Sequence, residues 1–223
     1  MASLRFYFKN RMTMRKTLLL FLFALGGIYA MAQEPYYCTT KGAVLTYTDY
    51  DAKGKENGST VHTFKEVTGK DGNFDIIMES TVNAAGVVNK TEVKVQIRNG
   101  SAQIGMGDGT IDVTVSDPEL FDIPNQLAVG MKLPLGEAIA NIGGFRVKST
   151  ITENEVIDRE EITTPAGTFK CYVVKQTSSG RVMGIKSEST IKSWYARGIG
   201  VVKSETYGNG KLSSSSVLTS IEK

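Results

Sequence analysis

The chain reads as an all-β protein: a strongly curved antiparallel meander forming a half-barrel or a two-sheet sandwich, with very little helix. Three observations predict this. Apolar and polar residues alternate with period two in short segments recurring at roughly 12-residue spacing. Turn-forming residues separate those segments, among them Asp51-Ala52-Lys53-Gly54, Gly69-Lys70-Asp71-Gly72, Asn99-Gly100 and Gly208-Asn209-Gly210. Beyond the N-terminus, no stretch carries the long 3.6-residue apolar stripe of an amphipathic helix.

The first 32 residues have the form of an export signal. Arg11, Arg15 and Lys16 precede an apolar run from Leu18 to Ile28, and Ala30-Met31-Ala32 fits an A-x-A cleavage site before Gln33. That run is too short for a bilayer span of roughly 20 residues, so no stable span is expected after cleavage. Cys38 does not directly follow the cleavage site, so lipid modification there is not expected. Residues 33–223 are then a single β domain in the periplasm or outside the cell. The signal holds five basic residues and no acids. Removing it leaves 21 of the 26 lysines and arginines against 23 acidic residues. A basic nucleic-acid-binding surface is thereby excluded.

In chain order, strands are expected at Ala43 to Tyr50, Thr60 to Val67, Phe74 to Val82 and Val87 to Ile97. Asn99-Gly100 fits a two-residue hairpin turn, because both residues tolerate positive φ. Ala102 to Met106 and Ile111 to Val115 read as a further hairpin around Gly107-Asp108-Gly109. Prolines 118, 124 and 134 and glycines 130 and 136 interrupt residues 117–136, which cannot hold a central strand. Leu120, Phe121, Leu127 and Val129 imply that this crossover packs on something and caps one end of the sheet, with a helical turn at Asp117 to Phe121. Strands resume at Phe145 to Thr152, Glu155 to Thr163, Phe169 to Gln176, Arg181 to Tyr195, Gly200 to Tyr207 and Lys211 to Ile221. Asn154, Thr164-Pro165-Ala166-Gly167 and Ser179-Gly180 supply the turns between the earlier ones. A dozen such strands must curl or split into two packed sheets to bury their apolar faces.

Catalytic chemistry finds little support. His62 is the single histidine and lies in an alternating strand, and no Gly-x-Ser-x-Gly elbow occurs. One histidine and two distant cysteines make no zinc set, so no metal and no cofactor is expected. Asp71-Gly72-Asn73-Phe74-Asp75 lacks the glycine and the final carboxylate of a calcium loop. Glu153, Glu155, Asp158, Glu160 and Glu161 alternate in a way that suits an exposed edge strand better than paired catalytic carboxylates. Cys38 and Cys171, once exported, could form a disulfide closing a loop of about 130 residues, worth roughly 4 to 5 kcal/mol. Cys171 equally suits its strand as a small buried hydrophobe, and both readings stand.

The stretch from Ser189 to Tyr207 holds the single tryptophan, Trp194. Alternation sets Trp194 and Tyr195 on opposite faces, with Trp194 inside and Tyr195 outside. The Gly198 and Gly200 corner lets the next strand close against the indole. If the sheet's concavity takes a ligand, its candidate liners are Trp194, Tyr195, Phe169, Met183, Ile185 and Tyr207.

Four segments together resemble a known family: Tyr50-Asp51-Ala52-Lys53-Gly54-Lys55 with Gly58; Leu127-Ala128-Val129-Gly130-Met131-Lys132-Leu133-Pro134; Thr164 to Phe169 with Cys171; and Trp194 to Glu205. The set is similar to the TapB-like family of exported Bacteroidetes-type proteins, itself close to a broader set of secreted domains of unknown function. The resemblance implies an extracytoplasmic β fold with no established enzymatic activity, and it carries over no catalytic residue. The expected role is a non-catalytic binding or envelope-associated module whose partner is an apolar ligand or an envelope protein. The alternatives are a periplasmic carrier of a lipid or other apolar ligand in the sheet concavity and, less favoured, a hydrolytic enzyme.

Overall fold

The computed structural model describes residues 33–106, 111–115, 120–142, 145–182 and 185–223. The proposed signal peptide lies outside these residues. Twelve strands form one antiparallel sheet: β1 (Val44–Asp51), β2 (Glu56–Lys70), β3 (Asn73–Ala84), β4 (Val87–Arg98), β5 (Ser101–Met106), β6 (Ile111–Val115), β7 (Gly136–Ile142), β8 (Phe145–Thr164), β9 (Gly167–Val182), β10 (Ile185–Ala196), β11 (Gly200–Gly208) and β12 (Lys211–Glu222). Their order is β5-β4-β3-β2-β1-β12-β11-β10-β9-β8-β7-β6. The first and last strands therefore pair in the middle of the sheet, with Val44 opposite Glu222. The edges are β5 and β6, which follow one another in the chain.

That last fact dictates the curvature. Twelve strands about 4.8 Å apart would make a flat sheet about 53 Å wide. Yet Met106 and Ile111, on opposite edges, are five peptide steps apart and so within about 18 Å. The sheet must roll until its edges face each other without pairing. This realises the curved single sheet rather than the two-sheet alternative, and the hairpin expected between Ala102–Met106 and Ile111–Val115 does not form. No helix among the described residues is long and apolar enough to cross a membrane.

Local chemistry explains the turns. Asp71-Gly72, Ala85-Gly86, Asn99-Gly100 and Asn209-Gly210 each close a two-residue hairpin with positive φ at both positions. Other expected turns are strand interior. Asn154 lies inside β8, which runs unbroken for 20 residues because two bulges, at Ile151/Glu153 and Val156/Asp158, absorb the irregularity. Ser179-Gly180 lies inside β9, where a Cβ on Gly180 would sit 2.8 Å from the Lys148 carbonyl oxygen. That glycine serves close strand approach, not a turn. The segment expected as one strand from Arg181 to Tyr195 is the end of β9 followed by β10, and β7 had no counterpart in the expected strands.

Two clusters make the core. The larger includes Leu45, Phe64, Ile76, Val95, Ile97, Cys171, Val173, Trp194, Val202 and Leu218. The smaller joins Tyr36, Ile123, Leu127, Leu133, Val156 and Val174. Alternate residues of β9 serve different clusters, Cys171 and Val173 one and Val174 the other, so β9 is covered on both faces. The cover on the second face is the crossover. Ile123 bridges Ala102 on the β5 edge, and Lys132 bridges Glu155 on β8. Leu120 and Leu127 are buried as expected, Phe121 is half-buried, and Val129 is exposed. The crossover thus lies over a face of the sheet rather than capping an end. Residues 120 and 121 form a turn, and the rest of the expected helical turn lies outside the described residues.

Candidate functional site

Under the crossover, β8 to β10 present two cross-strand rows of side chains: Asn154, Gln176 and Ile191, then Val156, Val174 and Ser193. Tyr195 follows on the same face. Together with Leu120, Phe121, Asp122 and Ile123 above, these residues enclose a cavity of about 250 Å³, Val156 lying beneath it in the smaller cluster. Its walls are mostly apolar. Its polar groups are the Asn154 and Gln176 amides, the Ser193 and Tyr195 hydroxyls and the Asp122 carboxylate.

Asn154 is the most constrained of these. It is 6% exposed, its Nδ2 donates to the Pro134 carbonyl at 3.0 Å, and its backbone carbonyl accepts from Leu133 N at 2.9 Å. The side-chain oxygen, also buried, has no hydrogen-bond partner. A buried amide oxygen without a donor is destabilising by about 1–3 kcal/mol. Burial pushes the Tyr195 hydroxyl up to about 12, softened by a hydrogen bond with Ser193, so it stays protonated as a donor.

Arg197 holds the roof in place. Its guanidinium donates to the Asn125 carbonyl at 2.7 Å, to Asn125 Oδ1 at 3.2 Å and to the Glu34 carbonyl at 2.5 Å, and it stacks 4.3 Å above the Tyr36 ring. One side chain thereby ties the crossover and the N-terminal segment to the β10–β11 corner. Gly198 at that corner donates its N–H to the Pro35 carbonyl, and a Cβ there would meet the Glu34 carboxylate at 2.7 Å.

The opposite face of the same strands is a polar ladder that runs into the main core. Lys175 pairs with Glu153 at 2.8 Å, Thr177 donates to Glu153, and Thr177 shares a hydrogen bond with Thr190. The bond from Lys175 holds the Glu153 carboxyl below its usual range. Further along, Lys203 pairs with Glu205 at 2.7 Å, the Tyr207 hydroxyl donates to Glu205, and Lys192 lies over the Tyr207 ring. Burial raises Glu205, but the bonds from Lys203 and Tyr207 prevail and leave it lowered. Trp194 donates from Nε1 to Glu160, and Lys203 Nζ lies 4.4 Å above its ring.

The four expected ligand liners whose side chains are described do not gather in one place. Trp194 is buried in the main cluster, and Phe169 packs against it. Tyr207 belongs to the polar ladder. Tyr195 does lie on the opposite face from Trp194, but packs on the second cluster instead of meeting solvent. Ile185 begins β10, with its side chain outside the described residues, as is Met183 altogether. β7 pairs with β8 only from Phe145 to Ile151, so Asp158, Glu160 and Glu161 lie exposed on a stretch of β8 bonded to β9 alone, as the expected edge strand requires. The bulge at Val156/Asp158 turns Asp158 and Glu160 toward the Trp194 face.

Cys38 and Cys171 are free, buried thiols of the main cluster, with burial pushing Cys171 up to about 11. His62 packs against the Tyr47 ring, its Nδ1 buried without a hydrogen bond. Burial depresses its pKa, partly countered by Asp49. Among the described residues, no group of three or more His, Cys, Asp or Glu is placed to hold a metal ion.

Comparison with solved structures shows the same fold in Bacteroides fragilis and Parabacteroides distasonis. The first is a protein inferred to be exported, with a YmcC-like fold: 23% identity, TM-score 0.72, covering 85% of this chain and 100% of that one. The second is a protein inferred to be a lipoprotein: 22% identity, TM-score 0.70, covering 85% of this chain and 99% of that one. No functionally curated protein matches. The DUF3108-like family model matches residues 40–218, and the chain belongs to that family. This match shows the DUF3108-like family and does not bear on the TapB-like resemblance.

Proposed function

We propose that this DUF3108-like protein is an exported, non-catalytic binding module of the cell envelope. Its ligand is a small, largely apolar molecule carrying a polar group, held in the cavity beneath the crossover. The observation that carries this reading is the mostly apolar cavity roofed by the crossover, with a few polar side chains, Gln176, Ser193 and Tyr195 among them, in its lining. At about 30 Å³ per water molecule, the space equals roughly eight waters. Pockets for drug-sized ligands start near 300 Å³, so the ligand is a small molecule or a short segment of a larger one. An apolar body would pack on Leu120, Ile123, Val174 and Ile191, with its polar group directed to Gln176 or Ser193.

Several observations support the other parts of the reading. Residues 1–32 have the composition of a cleavable signal ending at Ala32, and the two structural relatives are inferred to be exported or lipoprotein. The TapB-like likeness of the Thr164 to Cys171 and Trp194 to Glu205 segments agrees, since those proteins are exported without an established activity. The cavity's amides and hydroxyls form hydrogen bonds at neutral pH but supply no activated nucleophile. A carrier using the concavity itself is disfavoured, because Phe64, Ile97, Trp194 and Leu218 fill that interior.

The test is native mass spectrometry of the exported protein purified from its own envelope, beside a Ser193→Phe variant that fills the cavity. A non-covalent adduct in the wild type that the variant lacks is the expected result. A wild-type protein without any adduct, whose melting temperature no envelope extract raises, would refute the assignment.

A further inference from the structure

A second cleft, of about 550 Å³, lies further along β8 and β9 and shares no lining residue with the cavity beneath the crossover. Arg159 opposite Tyr172 and Glu161 opposite Lys170 are successive cross-strand pairs of its floor. The N-terminal segment brings Tyr36 to its wall, and the β10–β11 corner brings Arg197. Aromatic contacts hold both arginines in one row. The Arg197 guanidinium stacks 4.3 Å from the Tyr36 ring, the Tyr36 and Tyr172 rings meet edge to face at 6.0 Å, and the Arg159 guanidinium lies 5.5 Å from the Tyr172 ring. Tyr36 is 2% exposed, so the row is anchored in the protein rather than lying loose on its surface.

The cations of this cleft are not neutralised by ion pairs. Elsewhere on β8 charge is matched locally, Glu153 by Lys175 and Glu155 by Lys132. Lys170 sits directly opposite Glu161, yet among the described residues neither it, Arg159 nor Arg197 forms an ion pair. The acceptors of Arg197 are uncharged: the Glu34 backbone carbonyl and the two oxygens of Asn125. Three cations, Arg159, Lys170 and Arg197, against the carboxylate of Glu161 leave the lining with two net positive charges. Of the acids nearby, Asp158 and Glu160 turn to the Trp194 face, and the Glu34 carboxylate stands over Gly198, outside the lining.

We infer that this cleft binds an organic phosphate. A guanidinium presents its N–H groups in a planar fork that matches phosphate oxygens, and a lysine beside it adds a point charge. Arg159 stacks on Tyr172 without spending its side-chain N–H groups inside the protein, so the whole fork faces a ligand. A phosphate monoester carries about −1.5 to −2 charges at pH 7, which the two net positive charges of the lining balance. The cleft also exceeds a bare phosphate. At about 30 Å³ per water molecule it equals roughly eighteen waters. Tyr172 and Phe169, both half-buried, offer ring surface on which an apolar or ring-shaped body would pack. This site does not depend on the ligand proposed for the cavity beneath the crossover.

Isothermal titration calorimetry of the exported protein tests it with inorganic phosphate, phenyl phosphate and the soluble short-chain lipid dihexanoyl phosphatidic acid. The expected result is that one of the two organic phosphates binds about ten-fold more tightly than inorganic phosphate. The tighter of them shows whether the body is a ring or a pair of acyl chains. The double variant Arg159→Gln/Lys170→Gln should weaken that binding about ten-fold or more, because charge-assisted hydrogen bonds are lost. Its melting temperature should not change, since both side chains are exposed. Absence of binding by both organic phosphates at millimolar concentration overturns the inference. So does equally tight binding of inorganic phosphate, or full binding by the double variant.

Discussion

Truncating Trp194 to alanine should be among the most damaging single changes in this fold. Trp194 is 6% exposed and lies in the main cluster with Cys171, Val173, Ala196 and Val202. Burying up to about 250 Å² at about 25 cal/mol per Å² gives an upper bound near 6 kcal/mol, reduced because alanine keeps part of the area and the unfolded chain is not fully extended. Large-to-small changes of buried aromatics give about 3–5 kcal/mol, which is the expected loss. The indole N–H contributes less than burial does. Its acceptor Glu160 is exposed and recovers water when the donor goes, so Trp194→Phe should cost about 1 kcal/mol beyond the change in ring size. Urea denaturation followed by far-ultraviolet circular dichroism reads both variants without the fluorophore. With a slope of about 2 kcal/mol per molar, Trp194→Ala should lower the midpoint by about 1.5–2.5 M. Tyr195→Ala, half-buried against the second cluster, should move it less. A Trp194→Ala loss below about 1.5 kcal/mol, or a larger loss for Tyr195→Ala, would refute the assignment of Trp194 to the main core.

Two further outcomes follow from local conformation and protonation. Ala85→Asn should raise stability by about 0.5–1 kcal/mol in the same assay, since it restores the residue type this positive-φ turn favours. The wild type should lose stability as pH falls below about 6.5, because unfolded His62 takes up a proton that burial disfavours in the native state. His62→Gln should remove that part of the slope between about pH 7.5 and about pH 5, and an unchanged slope would assign the effect to other groups.

The hairpins were legible because their information is local. Asn99-Gly100 and Asn209-Gly210 announce their turns in two residues, and the period-two pattern around Val93, Val95 and Ile97 announces its strand. Position in the sheet was not legible, because strand pairing carries no such mark. Nothing in Ala102 to Met106 and Ile111 to Val115 says that these adjacent segments sit at opposite edges. Asn154 and Gly180 misled for a shared reason. Each is a turn former by composition, but each is used inside a strand, one to bond the crossover and the other to let β8 approach. The cavity was hidden for the same reason: Asn154, Gln176 and Ser193 are unremarkable polar strand residues until the crossover lies over them. Its apolar residues Leu120 and Leu127 were the available signal, and Arg197, inside the Trp194 to Glu205 motif, was the overlooked clasp.

Connectivity does not explain the crossover. β6 and β7 are antiparallel neighbours, with Val115 opposite Ala138, and a two-residue turn would have joined them. Instead residues 120–135 pair with the far edge at Ala102, are held by Arg197 at Asn125 and run along β8 before β7 begins. Two physical problems are solved by that excursion. The β5 edge, whose free N–H and C=O groups would otherwise invite another strand, is bonded at Ala102 in both directions by Ile123. The second face of β8–β10, apolar at Val156 and Val174, is removed from water by Leu127 and Leu133. Closing the edge and covering the face would both be served by a roof packed flush on the strands. The roof instead leaves a mostly apolar cavity under Leu120 to Ile123, which edge protection and core burial do not require. A long loop that keeps a cavity open beneath it is what the proposed binding role calls for and stability alone does not.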